Sequence, residues 1–140
     1  MVVEHKYDWT GKQILIVEDD DSSSFLLREI LKRTGATLAF AFDGEEAIEY
    51  VRSHPETDII LMDIHLPHKD GLYASREIKK INPVIPIIAQ SAYLNLLNLE
   101  SSNPDETDDY VAKPINPALL FSKINKLLEK KEVEAAKKNS

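Results

Sequence analysis

The sequence predicts an α/β fold, a doubly wound sandwich in which a five-stranded parallel sheet carries helices on both faces. Three observations predict it. Short apolar runs alternate with longer segments of helical periodicity. The runs are continuous rather than alternating apolar and polar, as strands buried on both faces require. Several of them stop abruptly at a charged or hydroxyl residue, which is how the carboxyl end of a buried strand reads when it opens onto a site.

The elements follow in order. Residues 1–12 are polar and mixed, with Tyr7 and Trp9 as aromatic groups, and are expected to form a leader or linker that drapes onto a domain spanning 13–130. Gln13 to Val17 (QILIV) is the first strand and ends at Glu18-Asp19-Asp20-Asp21. An acidic first turn suited to the helix dipole, a run of three serines, and Leu26, Leu27, Ile30 and Leu31 at helical spacing predict the first helix, closed by Gly35. Thr37 to Ala41 (TLAFA) is the second strand. Asp43 and Glu46 have the spacing of a capping box, Ala47, Ile48 and Val51 supply the buried stripe, and His54-Pro55 ends that helix.

Asp58 to Met62 is the third strand, and Gly71 to Ile81 the third helix, with Leu72, Ala74, Ile78 and Ile81 facing inward and Asn82-Pro83 as the break. Pro86 to Gln90 is the fourth strand, its proline tolerated at the first position. Residues 92–109 read least clearly. Their leucines suggest a helix, which two asparagines and Ser101-Ser102-Asn103-Pro104 cut to about two turns. Tyr110 to Ala112 is a brief fifth strand before Lys113-Pro114. Asn116 and Pro117 then open a last helix with Leu120, Ile124, Leu127 and Leu128 inward, and a charged tail occupies 131–140. Five strands and five helices in this alternation usually take the flavodoxin-like strand order 2-1-3-4-5.

Composition bounds the function. The 140 residues, 43% hydrophobic and 29% charged, suit one soluble domain with a sizeable core and leave no room for a second folded one. Lys plus Arg number 17 against 24 Asp plus Glu, a net charge of -7, so no global field draws the chain to nucleic acid or to an anionic membrane. Cysteine is absent, which excludes disulfide and thiol chemistry. No run approaches the roughly 18 apolar residues of a membrane span, and residues 1–10 lack a signal-peptide core, so a cytoplasmic location is expected.

In a doubly wound sheet, ligands bind beyond the carboxyl ends of the strands, near the reversal of strand order. Those ends carry Glu18-Asp19, Asp63, Ser91 and Lys113. Each has an ordinary structural reading as a turn residue, a cap or a solvated charge; together, on successive strands at one edge, they point to a site. Clustered carboxylates repel, and a hard divalent cation with oxygen ligands relieves the repulsion, with Mg²⁺ the first choice. Glu18, Asp19, Asp63 and the His65 main-chain carbonyl would hold it. The His65 imidazole is a poor ligand here, because nothing else in the chain completes a zinc set. A carboxylate in such a site can attack phosphorus to give an acyl phosphate, with Lys113 and Ser91 meeting the phosphoryl oxygens.

The stretches ILIVEDD, LMDIHLP followed by KDG, IIAQSAY and DDYVAKP, in this order, resemble the receiver domain of two-component response regulators. The resemblance covers Lys12 to about Lys130. It implies that Asp63 is the phosphoacceptor, that Glu18 and Asp19 hold Mg²⁺, that Ser91 and Tyr110 are the switch residues, and that Lys113 binds the phosphoryl group, often through a cis bond to the following proline. It also implies a phosphohistidine donor on a histidine kinase or phosphotransfer protein, and an output face built from the fourth helix, fifth strand and fifth helix, through which copies could self-associate. His65 and Tyr93 would lie beside the acceptor. Such a module is a signalling switch rather than a turnover enzyme.

The residues at 103–107 depart from the pattern, which has a glycine there, and residues 7–12 look like the linker before a receiver carried on a hybrid sensor kinase. The alternative function is a phosphorylation-independent pseudo-receiver that serves as a protein-interaction module. A flavin or nucleotide binder of the same fold is disfavoured by the acidic, glycine-free loop after the first strand. A dehalogenase-like phosphatase would want a second carboxylate where His65 stands.

Overall fold

The computed structural model describes residues 7–65, 70–92 and 107–138. Its strands are β1 (Gln13–Val17), β2 (Thr37–Ala41), β3 (Ile59–Asp63), β4 (Ile87–Ser91) and β5 (Asp109–Ala112). Its helices are α1 (Asp21–Leu31), followed by a 3-10 turn at Lys32–Thr34, α2 (Gly44–Ser53), α3 (Gly71–Ile81) and α4 (Pro117–Lys138). All four strand pairings are parallel and the order is β2-β1-β3-β4-β5, as the alternation predicts. Four α-helices stand among the described residues; α4 is the expected fifth, and most of the segment expected to hold the fourth lies outside them, as do Tyr93 and Leu66 to Lys69.

Continuous apolar strands are needed because the sheet has a core on each side. Leu15, Val17, Ile60 and Met62 pack with Ala47 and Val51 of α2 and with Ala74 and Ile78 of α3. Ile14, Ile16, Ile59, Leu61, Ile88 and Val111 pack with Leu27 and Leu31 of α1 and with Leu120 and Ile124 of α4. The caps are those the sequence indicates at α2 and α4: the Glu46 N–H donates to Asp43 Oδ1 (2.9 Å) and the Leu119 N–H to Asn116 Oδ1 (3.3 Å).

Some expected details differ. β3 and β4 each begin and end one residue later than predicted, and their carboxyl ends extend because parallel pairing continues through Ile64 N–H to the Gln90 carbonyl (3.1 Å) and Lys113 N–H to the Ser91 carbonyl (2.9 Å). Asp63 and Ser91 are therefore the last residues of their strands. Leu26, one of the four α1 residues at helical spacing, is 48% exposed. Adjacent helical residues lie about 100° apart, so the sheet-facing stripe of α1 takes Leu27 and leaves Leu26 outside. Ile81, the last residue of α3, is also on the surface.

Residues 7–12, the described part of the expected leader, lie against the domain. Trp9 is buried, stacks on Tyr7, meets Phe121 edge-on, and donates its indole N–H to Asn125 Oδ1 at 3.1 Å. Lys12 pairs with Glu132 at 2.7 Å, tying residues before β1 to the far end of α4. Among the described residues no helix is long and apolar enough to cross a membrane.

Candidate functional site

Strand parity builds the site. Ile16, Leu61 and Val111 face the α1/α4 core, and two residues further along each chain stand Glu18, Asp63 and Lys113. Because side chains alternate along a strand, all three emerge on that same face just past the apolar layer. The ladder holds them there: the Glu18 N–H donates to the Ala41 carbonyl at 3.0 Å, and Asp63 lies opposite Gln90.

The three side chains meet. Lys113 Nζ donates to Glu18 Oε1 at 2.6 Å and to Asp63 Oδ2 at 3.0 Å. Glu18 and Asp63 are buried, whereas Asp19 is exposed. One carboxylate oxygen from each of these three acids lies within 4.8 Å of the others, an all-oxygen cluster of mixed burial that fits a hard divalent ion. Asp20 is occupied as the α1 cap, accepting from both the backbone N–H and the hydroxyl of Ser23. The bond between Lys113 and Pro114 is cis.

Asp63 Oδ1 accepts the His65 backbone N–H at 2.8 Å, and the His65 ring turns toward β4, placing Nε2 3.0 Å from Ser91 Oγ. Ser91 is buried beneath that contact. Gly71, at the start of α3, approaches so closely that a Cβ there would lie 2.2 Å from the Asp63 carbonyl oxygen. Tyr110 has the opposite parity to Lys113 and so leaves the other face of β5, where its hydroxyl is buried without a hydrogen-bond partner. The structure thus gathers Glu18, Asp19, Asp63 and Lys113, sets Ser91 beside them through His65, and keeps the Tyr110 side chain apart.

Comparison with known proteins decides the family. The model of the response regulator receiver domain matches residues 14–125, from β1 into α4. This chain belongs to that family. The receiver is 34% identical over 119 residues to an uncharacterized transcriptional regulatory protein, YbdJ, of Bacillus subtilis (strain 168), covering 85% of this chain and 52% of YbdJ. It is 30% identical over 129 residues to the alkaline phosphatase synthesis transcriptional regulatory protein PhoP of the same organism, again 52% of that protein's length. It also matches 7% of the hybrid signal transduction histidine kinase I of Dictyostelium discoideum, at 34% identity over 122 residues. The receiver therefore spans about half the length of the two bacterial relatives, as those same coverages give. Among solved structures, a CheY-like receiver domain protein from Methanospirillum hungatei JF-1 superposes with a TM-score of 0.79 at 30% identity, covering 88% of this chain and 98% of that one.

The electrostatics of the receiver's pocket follow from burial. Burial and a hydrogen bond shared with Asp63 push the Glu18 carboxyl up from 4.5 to about 7, against the pull of Lys113. Burial also pushes Asp63 upward, but the bonds from Glu18, the His65 N–H and Lys113 outweigh it and hold Asp63 below the usual carboxylate range. Burial lowers Lys113, and its two carboxylate bonds more than restore it, leaving it above its ordinary value. The two buried acids titrate as a coupled pair, Glu18 displaced upward and Asp63 downward.

A pH prediction follows. Glu18 binds its proton more tightly folded than unfolded, so its contribution to stability is present below pH 4.5 and is lost as pH rises through about 7. Asp63, shifted the other way from 3.8, acts only in more acid solution. In EDTA, urea unfolding is expected to show stability declining between about pH 4.5 and 7, and Glu18→Gln is expected to flatten that limb.

Two site features escape the sequence reading. Gln90 stands opposite Asp63 on the face of Ile88, fully buried, with neither amide atom hydrogen-bonded. Its signal was a polar residue inside the apolar run IIAQS. The bond between the His65 ring and Ser91 had no sequence signal, since 26 residues separate them.

Proposed function

We propose that this receiver is a phosphoryl-accepting switch of a two-component or phosphorelay system, with Asp63 as the acceptor. What supports the reading above all is the lysine bridge: Lys113 Nζ joins the buried carboxylates of Glu18 and Asp63 at the carboxyl edge of a parallel sheet, with Asp19 alongside. The donor is a phosphohistidine on a histidine kinase or phosphotransfer protein. An Asp63 oxygen attacks phosphorus, the phosphorus–nitrogen bond breaks, and its electron pair leaves with the imidazole.

Glu18, Asp19 and Asp63, with the His65 carbonyl, would hold Mg²⁺. When bound, the ion supplies charge neutralisation for the carboxylates and the incoming phosphoryl oxygens. Lys113 transfers its bonds from Glu18 and Asp63 to a phosphoryl oxygen, and the Ser91 hydroxyl donates to another. Lys113 and Ser91 assist Asp63's own phosphorylation and dephosphorylation, without making the domain a turnover enzyme. Ser91 and Tyr110 then report the change to the face that includes β5 and α4, which would bind a partner or a second copy. The unit that does this is residues 13–130, between a leader and a charged tail, acting in the cytoplasm either in a free-standing regulator or as the receiver of a hybrid kinase.

Intact mass spectrometry after incubation with Mg²⁺ and a small acyl phosphate tests the reading. One phosphoryl adduct is expected on the unmutated protein and none on Asp63→Asn or in EDTA. A folded, unmodified wild type would instead support the phosphorylation-independent pseudo-receiver, and an adduct retained by Asp63→Asn would move the acceptor elsewhere.

A further inference from the structure

We infer that the His65 imidazole is a latch on Ser91, holding the hydroxyl in the unphosphorylated protein and releasing it before Ser91 can bond a phosphoryl group on Asp63. The inference rests on the phosphoacceptor reading and adds what opposes the switch. His65 touches both partners: its backbone N–H reaches Asp63 Oδ1 at 2.8 Å and its ring Nε2 lies 3.0 Å from Ser91 Oγ. Ser91 has no solvent exposure, and its carbonyl is held by the Lys113 N–H at 2.9 Å, so its main chain is pinned while its side chain can turn about χ1.

Either tautomer of the ring serves. With Nε2 unprotonated, the hydroxyl donates to it and its one proton is occupied; with Nε2 protonated, the hydroxyl oxygen accepts. In both cases the bond fixes the Ser91 rotamer toward His65. His65 itself stands at the surface, so moving its ring does not require opening the core. A contact made only in the resting form lowers the fraction of protein competent to bind the phosphoryl group, and the apparent affinity falls by that fraction.

Isothermal titration calorimetry with beryllofluoride and Mg²⁺, a phosphoryl mimic that cannot be transferred, tests this on wild type, His65→Ala, His65→Phe, Ser91→Ala, the His65→Ala/Ser91→Ala double variant and Asp63→Asn, with thermal melts confirming that each is folded. His65→Ala and His65→Phe are expected to bind about two- to tenfold tighter than wild type, the equivalent of one lost hydrogen bond in the resting state. The phenylalanine keeps the ring's bulk, so agreement between the two variants assigns the effect to the bond. Ser91→Ala and the double variant are expected to bind alike, because without the hydroxyl there is nothing to latch. Unchanged or weaker binding in the His65 variants, or an equal gain in the Ser91→Ala background, would overturn the latch while wild-type binding that depends on Asp63 leaves the acceptor reading standing. Binding that Asp63→Asn retains in full would overturn both.

Discussion

Lys113→Met is expected to slow phosphoryl uptake by about 100-fold or more, the usual cost of removing one preorganised electrostatic contact from a reacting centre. The same ammonium bonds both Glu18 and Asp63 in the resting protein, so the variant also loses stability, and in a diagnostic way. Two buried carboxylates left facing each other would be prohibitive if both stayed ionised, but Glu18 is pushed up to about 7 even with Lys113 pulling it down, and losing that pull favours its protonated form further. The expected loss in EDTA is therefore moderate, roughly 2 kcal/mol at pH 8 and smaller at pH 6, with Mg²⁺ restoring much of it. Urea unfolding at both pH values, with and without Mg²⁺, separates this from a packing role. A loss that ignores pH and metal would mean that Lys113 matters for its aliphatic stem.

Gly71→Ala is expected to destabilise the domain by about 1–3 kcal/mol and to weaken Mg²⁺ binding with it. The added carbon would lie 2.2 Å from the Asp63 carbonyl oxygen and 2.6 Å from Ile64 Cα, and both are main-chain atoms that cannot rotate aside. Either α3 withdraws from the end of β3 or Asp63 shifts, and the second disturbs the metal ligands directly. Denaturant unfolding and a Mg²⁺ titration check the two effects. An unchanged midpoint with unchanged metal affinity would show that the α3 entry is softer than its close approach implies.

The architecture was legible in the sequence because it depends on short-range signals: continuous apolar runs mark strands buried on both faces, and a charge at the end of each run marks the edge where pairing stops. Glu18, Asp63 and Lys113 were legible for the same reason, since a residue two beyond a buried strand position shares its face. What could not be read depends on side-chain reach and on competition for space. Leu26 and Leu27 look equivalent in periodicity until one sheet surface has to choose between them. Trp9 was expected to drape onto the domain with its leader, but its partners could not be read, since Phe121 and Asn125 lie more than a hundred positions away. Gln90 reads as part of an apolar strand and proves to be a buried amide with unmet hydrogen bonds beside the acceptor. Tyr110 was assigned by resemblance as a switch residue, and its side chain stands on the opposite face of the sheet from the lysine three positions on.

The central claim is that Asp63, and neither of the two acids beside it, becomes the acyl phosphate. Borohydride reduction of the phosphorylated protein, followed by peptide mapping, tests it most directly, because an aspartyl phosphate is reduced to homoserine whereas a free carboxylate is untouched. The account predicts homoserine at position 63 and unaltered Glu18 and Asp19. Reduction at either of those acids, or a phosphorylated protein with no reducible residue, would contradict it.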